Sequence, residues 1–583
     1  MSPPLRRPPS ATVPADAADA ADAADAADAA DAANAANAAD AADAADAVDV
    51  PARRRWLGRM ALGAVAAVEA LAATPRAAAE PERPPRATVD VDLRLPGVPA
   101  NRRVLGSNVQ WVDGGDNVLD AAGHLDPVML AAVRRAAPTV LRYPGGAQSD
   151  AYHWERGVGP MGTRGDNEHV NARRPQRTRF GTREFLELCE ATGAEPLITL
   201  NLATGTPDEA VRWWRVLNGP QRMVSSVTGR PLPRVAFWEL GNEPYLTQER
   251  PDLAVSPTEF ARRADAFIAA LRAVEPAAVI GLPLVNDTRN GIPMTHRFGF
   301  ARTVLGALRG RVDFISLHDA YLPFAGAGPR GAPPSADALY LGAMAATRAV
   351  AGDWAAMRRL VEDVRPGGML PIAITEYHAM FTLGQGATDH LITSPAAGLA
   401  VADLLRLFAT TPQVLLAAQW SLSGNWWWGR MDGQGRDRPV AAAFVLMDSV
   451  LRGRVQPVVV QAPTMATPSI GQVAAVPALP VLEVLACRDG DRLRMALIHK
   501  HPRAVLEVVV RIDGSAVRDV RRRSWSAVEP MRARDDGDEG GWAPGVDAVE
   551  ESGAGGLRLV LGPASLTELW CQASPVASSG GNR

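Results

Sequence analysis

Between residues 101 and 450, short apolar runs alternate with longer amphipathic stretches. Apolar runs of this length are typical of buried parallel strands, and the amphipathic stretches are typical of helices that cover them. Repeated strand-then-helix order predicts an α/β fold, a (β/α)8 TIM barrel. Eight strands are predicted: Val104–Trp111, Val140–Tyr143, Glu195–Leu202, Val235–Leu240, Val279–Leu284, Val312–Leu317, Pro371–Ile374 and Val414–Trp420.

Three of the predicted helices have clear starting signals. Asp126, Thr206 and Ser256 are each followed by a proline. A side chain of this kind caps the first free N–H groups of a helix, and proline is well tolerated at the first helical position. Helices are therefore expected to begin directly after these three residues.

The pattern changes near residue 451. Runs of alternating apolar and polar residues, separated by turn residues, predict an additional C-terminal antiparallel β-sandwich domain over residues 451–575. Ala87–Leu95 has the same alternation, so residues 81–100 are interpreted as a linker and a strand that joins this domain. The clearest C-terminal strands are Val481–Ala486, Arg492–His499, Val505–Ile512 and Leu557–Leu561.

The N-terminal 80 residues carry no folding pattern. Residues 1–50 are a low-complexity segment rich in Ala and Asp, which buries no core and is expected to be disordered. Residues 51–80 run from three arginines through an apolar stretch to three alanines, the order of a signal peptide. The arginines followed by Trp56-Leu57 resemble a twin-arginine motif, so the protein is expected to be secreted or periplasmic. The alternative is a basic linker that is not exported.

Composition narrows the classes of partner. The net charge of the 583 residues is −3, which gives no reason to expect nucleic acid or a membrane surface as partner, and a neutral carbohydrate fits better. Of the three cysteines, Cys189 is expected to be a buried thiol, while a disulfide between Cys487 and Cys571 stays open. The oligomeric state is left undetermined.

Two glutamates follow predicted strands. Glu243 comes just after the fourth strand and Glu376 just after the seventh. Active sites of such barrels lie at the C-terminal strand ends, and retaining glycosidases use two carboxylates about 5–5.5 Å apart. The sequence has no convincing metal-ligand spacing and no phosphate-binding glycine loop, so neither a metal nor a cofactor is expected.

Four segments resemble a known family. Residues 141–146 (LRYPGG), 152–160 (YHWERGVGP), 240–243 (LGNE) and 316–318 (SLH) closely resemble strand-end motifs of retaining α-L-arabinofuranosidases of glycoside hydrolase clan A. The resemblance covers roughly residues 100–450. It implies double displacement on terminal sugars of plant or microbial polysaccharides or oligosaccharides.

Roles follow from the resemblance for individual residues. Glu243 corresponds to the general acid/base and Glu376 to the nucleophile. Asn242 would bind the sugar 2-hydroxyl, and Arg142 would support the nucleophile. The substrate-binding residues are completed by Gln110, Asn201, His318, Tyr321 and Trp420.

Further side chains are expected around the pocket. Either His318 or Tyr321 should hydrogen-bond to Glu376, and His378 is expected on the rim. Trp420 and the three tryptophans of residues 426–428 could form a platform for sugar rings, although three consecutive side chains cannot all point the same way.

The chain departs from the arabinofuranosidase pattern at two positions. Ala147 replaces an asparagine, and Gln110 replaces a sugar-binding glutamate. The sugar is therefore left open between an α-L-arabinofuranoside and the β-xylosides, β-glucuronides or β-glucans that other clan members cleave. A transglycosylase and a non-catalytic carbohydrate-binding barrel also remain open, but the two glutamates favour an enzyme.

The signal-peptide interpretation predicts cleavage after the alanines of residues 77–79. Mass spectrometry of the native secreted protein should find an N-terminus near Glu80. An active cytoplasmic protein that retains its Ala-Asp repeats would contradict it.

Overall fold

The computed structural model describes residues 84–246, 255–286, 299–318, 320–323, 334–368, 370–379, 391–424, 427–527, 529–532, 543–548, 550–552 and 556–575. The predicted low-complexity segment, residues 1–50, and the predicted signal peptide, residues 51–80, lie outside these ranges. Trp426 also lies outside them.

Eight parallel strands close into a barrel, so the predicted TIM barrel is confirmed. Each strand pairs with its neighbours in sequence, and the last pairs with the first. All eight lie within the predicted runs: β1 (Gly106–Asn108), β2 (Val140–Tyr143), β3 (Glu195–Thr199), β4 (Phe237–Glu239), β5 (Val279–Pro283), β6 (Phe314–Leu317), β7 (Ile372–Ile374) and β8 (Val414–Gln419).

Helices connect the barrel strands, and the three predicted capping residues begin three of them. Asp126 accepts from two backbone N–H groups, while Thr206 and Ser256 each accept from one. The helices span Asp113–Asp116, Pro127–Ala136, Thr182–Thr192, Pro207–Leu217, Pro257–Val274, Phe300–Ala307, Ala336–Met344, Ala346–Val364, Pro395–Thr410 and Pro439–Val450. No helix in the described ranges is long and apolar enough to cross a membrane.

The inside of the barrel is filled by side chains. Phe237 and Phe314 meet edge to face with ring centroids 6.4 Å apart. Gly281 makes room for them, because a Cβ there would lie 2.0 Å from the Phe314 ring. The small apolar layer around them consists of Val140, Leu197, Phe237, Phe314, Ala373 and Leu416. This layer fills the barrel interior with apolar side chains, so the barrel is a packed core.

A second region consists of two sheets that share an apolar core. One sheet has the strand order Val458–Gln461, Arg86–Asp92, Leu506–Asp513, Gly556–Leu561 and Glu550–Ser552. The other has the order Val98–Pro99, Arg454–Gln456, Leu482–Asp489, Arg492–His499, Ser565–Pro575, Ser515–Ser526 and Ala543–Ala548. Pairing is antiparallel except between Arg86–Asp92 and Leu506–Asp513, which run parallel.

Three further short pairs of strands lie outside the barrel and the two sheets. They are Asp166–His169 with Arg174–Arg177, Thr464–Thr467 with Val476–Pro480, and Ala320–Leu322 with Tyr377–Ala379. The last pair is parallel and continues the chain just beyond β6 and β7.

All three cysteines are buried free thiols. Cys487 and Cys571 lie on the two strands that flank Arg492–His499. Two strands apart corresponds to roughly 9–10 Å, which is more than the roughly 7 Å that a disulfide can span between Cα atoms. The disulfide that the sequence left open is therefore not formed.

A buried ion pair joins the barrel helices to the β domain. The Lys500 ammonium donates to Asp403 at 2.5 Å and to the Met344 carbonyl oxygen at 3.2 Å. Asp403 also accepts from Arg406 at 2.7 Å. Tyr340 donates its hydroxyl to the Lys500 carbonyl oxygen at 2.7 Å. A buried charge without its partner is costly, so these contacts favour one orientation of the β domain on the barrel.

Lys500→Met should therefore lower the free energy of unfolding by about 3 kcal/mol, because it leaves Asp403 buried with fewer partners. Urea denaturation measures this change. Arg503→Met is the matched control, since Arg503 and its partner Asp337 are both 79% exposed and the midpoint should barely move. Equal effects of the two substitutions would contradict the structural role of Lys500.

Candidate active site

The Arg142 guanidinium lies at the centre of the polar cluster at the C-terminal ends of the strands. Its side chain extends from β2 and is fully buried. Arginine presents five N–H donors in a rigid planar fork, and here the fork contacts residues from three other strands or their ends. Nε donates to Glu239 at 2.6 Å, Nη1 to Asn108 at 2.9 Å and to Glu376 at 2.8 Å, and Nη2 to Asn242 at 2.8 Å.

Glu239 also belongs to this cluster, although it is not among the site residues predicted from the sequence. It is the last residue of β4 and is fully buried. Burial alone would raise its pKa, but the charges of Arg142 and His318 outweigh burial, so the pKa lies below the usual range of glutamate. The missed signal was a carboxylate inside an apolar strand. Such a residue needs a buried cation, and Arg142 on β2 was the available one.

The Glu376 carboxylate is held on both oxygens. Arg142 donates to Oε1, and the Tyr321 hydroxyl donates to Oε2 at 2.9 Å. The hydrogen bond expected from His318 or Tyr321 is therefore made by Tyr321. Burial raises the pKa of Glu376, while the charges of His318 and Arg142 and the bond from Tyr321 lower it. These contacts fix the carboxylate in one orientation.

Glu243 has looser contacts. Its side chain is 20% exposed, compared with 7% for Glu376. The Tyr245 hydroxyl lies 3.4 Å from Oε1, and the His318 Nδ1 lies 3.0 Å from the same oxygen. The backbone φ of Glu243 is 36°, in the left-handed region that non-glycine residues rarely adopt and that is enriched at functional sites.

The two glutamates and His318 form one compact group. One carboxylate oxygen of each glutamate and one ring nitrogen of His318 lie within 4.8 Å of one another. Such close oxygens agree with a retaining pair, whose carboxyl groups stand about 5–5.5 Å apart. No other such group of ligating side chains occurs among the described residues.

The His318 ring lies close to the carboxylates of both Glu243 and Glu376. Its Nε2 hydrogen-bonds to the Thr375 hydroxyl at 3.0 Å, while its Nδ1 faces Glu243 at 3.0 Å and Glu376 at 3.8 Å. Burial would lower the pKa of His318, but the charges of Glu376 and Glu243 overcome burial and raise it. The contact with Glu243 is an ion-pair approach rather than a well-aimed hydrogen bond. A proton on the His318 ring is therefore stabilised by the negative charges of the two carboxylates that it faces.

Gly145 and Gly146 form a wall beside Glu376. A Cβ on Gly146 would lie 3.0 Å from Glu376 Oε1 and 3.0 Å from the Trp420 ring. A Cβ on Gly145 would lie 2.5 Å from the Gln110 side chain, and its φ of 98° favours glycine. The structure thus brings Trp420 to Gly146, which borders the carboxylate, and Gln110 to the adjacent Gly145, and a larger residue at either glycine would crowd these side chains.

Asn201 is held in a turn. Its amide nitrogen donates to the Tyr152 carbonyl oxygen and the Thr204 hydroxyl, and its oxygen accepts from the Thr204 backbone N–H. These bonds engage the side chain in the loop after β3, so the structure gives it a scaffold contact. The substrate role predicted for Asn201 stays a prediction.

The expectation that His378 lies on the rim is wrong. His378 is fully buried, in the strand pair beyond the barrel, and its ring meets Trp428 edge to face at 5.6 Å. Burial lowers the pKa of His378 to about 4, so it is neutral. Trp428 also meets Tyr321 edge to face at 5.8 Å. Trp428 thus packs against both Tyr321 and His378.

Comparison with known proteins confirms the resemblance. The α-L-arabinofuranosidase 1 domain family model matches residues 132–291, a stretch that contains Arg142, Asn242 and Glu243. α-L-Arabinofuranosidase C of Emericella nidulans is 34% identical over 173 residues, which is 28% of this chain and 33% of that protein. An intracellular exo-α-L-arabinofuranosidase of Bacteroides ovatus is 36% identical over 104 residues, 18% of this chain and 20% of that protein. The alignments with these relatives thus span a third of their length or less.

The fold is similar over most of the chain. The glycoside hydrolase family 51 α-L-arabinofuranosidase of Thermotoga petrophila superposes with a TM-score of 0.69 at 22% identity, covering 83% of this chain and 99% of that one. At this identity the match shows the fold alone. In its fold, and in the local sequence around Arg142 and Glu243, the chain is similar to the α-L-arabinofuranosidases of clan A.

Proposed function

We propose that the protein is a retaining glycoside hydrolase that removes terminal α-L-arabinofuranosyl residues from plant or microbial polysaccharides or oligosaccharides. The observation that carries the proposal is the asymmetry of two neighbouring carboxylates. Glu376 is buried and accepts a hydrogen bond on each oxygen, whereas Glu243 is partly exposed and, among the described residues, has polar contacts with His318 and Tyr245 alone. A nucleophile needs a fixed orientation, and an acid/base catalyst needs access to the leaving group and to water.

In the first step the Glu376 carboxylate attacks the anomeric carbon while Glu243 donates its proton to the departing glycosidic oxygen. A covalent glycosyl-enzyme forms and the aglycone leaves as an alcohol. In the second step Glu243 takes a proton from water, the water oxygen attacks the anomeric carbon, and Glu376 leaves as a carboxylate. The anomeric configuration is retained because two inversions occur.

The surrounding residues support these steps. Arg142 neutralises Glu376 before attack and orients the oxygen of Asn242, which turns the amide NH2 of Asn242 toward the pocket for a sugar hydroxyl. His318 faces both glutamates, so it compensates charge as the proton on Glu243 is lost and regained. The Trp420 ring beside Gly146 offers an apolar face to the sugar.

The choice of arabinofuranoside rests on the relatives, whose names specify that sugar. A panel of aryl glycosides tests it: arabinofuranoside, xyloside, glucuronide and glucoside. If another glycoside of the panel is cleaved faster than the arabinofuranoside, the proposed sugar is wrong, but the proposed roles of the two glutamates are unaffected. Export by the twin-arginine route is part of the proposal, supported by the arginines and apolar run of residues 53–79.

Azide rescue should separate the two roles. Glu243→Ala should still form the intermediate from activated aryl glycosides, and added azide should restore turnover and give a glycosyl azide of retained configuration. Glu376→Ala should give the inverted azide. Each substitution should lower the rate without azide by several orders of magnitude. NMR of the azide products identifies the anomers, and the same anomer from both variants would exclude this assignment.

Tyr321→Phe should move the acidic limb of the kcat/KM profile to higher pH. Its hydroxyl donates to the Glu376 carboxylate and lowers the pKa, so removing the bond raises that pKa further. Activity needs ionised Glu376 and is lost as pH falls through this pKa. Loss of a charge-assisted hydrogen bond worth about 1.5 kcal/mol corresponds to a shift of the acidic limb by about one pH unit.

Tyr377→Phe is the matched control for this shift. The Tyr377 hydroxyl is buried and makes no hydrogen bond to any described residue, although Tyr377 adjoins Glu376 in sequence. The limb should stay where it is in the wild type. A shift of the same size in both variants would show that Tyr321 does not act through its bond to Glu376.

A further inference from the structure

Residues 113–117 form a turn of left-handed backbone between β1 and the first long helix. The φ values are 49° for Asp113, 69° for Gly114, 78° for Gly115, 54° for Asp116 and 69° for Asn117. L-residues avoid this region because Cβ crowds the following carbonyl group, although aspartate and asparagine tolerate it better than most. Two of the five residues are glycines, which adopt this conformation freely, so the strain lies in the two aspartates and the asparagine.

Packing and hydrogen bonds maintain the turn. The backbone N–H of Asn117 donates to the Asp113 carbonyl oxygen at 3.0 Å. Gly115 lies against the Phe180 ring, where a Cβ would approach to 2.5 Å. Strain that the surroundings maintain in this way is concentrated at functional sites. The side chain that the turn delivers to the interior is that of Asp116.

The Asp116 carboxylate is 3% exposed and binds one residue twice. Oδ2 accepts from the Gln110 backbone N–H at 2.9 Å, and Oδ1 accepts from the Gln110 side-chain Nε2 at 3.0 Å. No basic side chain in the described ranges forms an ion pair with it. Burial raises its pKa to about 7, so keeping the acid there carries a cost that calls for a function.

Gln110 lies close to the polar cluster. It follows by two residues Asn108, the last residue of β1, whose side chain hydrogen-bonds to Arg142. Gln110 packs against Gly145, and the next residue, Gly146, borders Glu376 and Trp420. Gln110 and Glu376 therefore lie beside two adjacent glycines, Gln110 beside Gly145 and Glu376 beside Gly146.

We propose that Asp116 is a positioning residue that fixes the Gln110 amide, so that its NH2 group points into the fold and its Oε1 faces the glycone as a hydrogen-bond acceptor. A carboxylate can only accept hydrogen bonds, so it excludes the flipped amide. The pocket then requires a sugar hydroxyl that donates at this point. The inference rests on the proposed glycosidase function. It specifies that this chain recognises a sugar hydroxyl through the amide oxygen of Gln110.

Asp116→Asn inverts the arrangement without disturbing the turn, because asparagine tolerates left-handed backbone. The Asn oxygen must accept from the Gln110 backbone N–H, so the Asn NH2 faces the Gln110 side chain and binds Oε1. Gln110 then presents NH2, a donor, to the sugar. The exchange variant Gln110→Glu/Asp116→Asn restores an acceptor, since the new amide donates to one oxygen of the new carboxylate. Asp113→Asn, on the same turn but exposed, is the control.

The readout is the ratio of kcat/KM for an aryl glycoside to that for each of its mono-deoxyfluoro analogues, at about pH 8, where Asp116 is ionised. Fluorine cannot donate a hydrogen bond, so one fluorinated position should be penalised in the wild type beyond its electronic effect. The penalty at that position should fall by about fivefold in Asp116→Asn, the worth of one neutral hydrogen bond. It should return in the exchange variant and stay at the wild-type value in Asp113→Asn. A merely structural role of Asp116 would lower all rates without changing this ratio.

The parent glycoside is whichever panel member the wild type cleaves fastest, so a wrong sugar assignment leaves the test intact. An unchanged ratio at every position in Asp116→Asn overturns the inference alone. A wild type that cleaves no panel member overturns the proposed function and the inference with it. If Asp116→Asn does not fold, the exchange variant decides. If the exchange variant shows the wild-type kcat/KM penalty at the same fluorinated position, the role of Asp116 is supported. If the exchange variant shows no such penalty, the role is excluded.

Discussion

The active-site end of the barrel depends on the burial of one cation among carboxylates. Arg142 contacts Glu239 and Glu376, and each of the three is buried. Removing any one of these three side chains would leave a buried charge without its partner. Loss of one partner of a buried ion pair lowers the free energy of unfolding by about 3–5 kcal/mol. The guanidinium also binds Asn108 and Asn242, so β1, β2, β4 and β7 are tied at one point. Precise placement of the chemical groups is a consequence of this charge balance.

The difference between the two glutamates of the pair follows from where each one lies relative to Arg142. Glu376 is within reach of the guanidinium and is immobilised by it. Glu243 is outside that reach, on a strained residue after β4, and its partner His318 is itself titratable. One carboxylate is thus held ready to attack while the other can exchange a proton. His318 faces both carboxylates, and their negative charges stabilise a proton on its ring.

Strain and buried charge recur where the fold positions polar groups. The left-handed turn of residues 113–117 places the Asp116 carboxylate against Gln110. The Phe180 ring packs against Gly115 of this turn. Lys500 and Asp403 form a comparable buried pair between the barrel and the β domain. In each case the local cost is offset by packing that only the complete fold supplies.

The periodicity of the sequence by itself determined the barrel. All eight strands lay in apolar runs, and the helix starts followed their capping residues, because burial and capping are local properties of a strand or a helix. The motifs also placed Glu243, Glu376 and Arg142 at strand ends. Contacts between strands could not be read from one strand. Glu239 was missed, His378 was placed on the rim, and Asp116 was not noticed at all. Their environments depend on residues from tens to hundreds of positions away, or on strained backbone that no local propensity favours. The tertiary structure alone decided which polar side chains share a buried space, because burial makes every one of them require a partner.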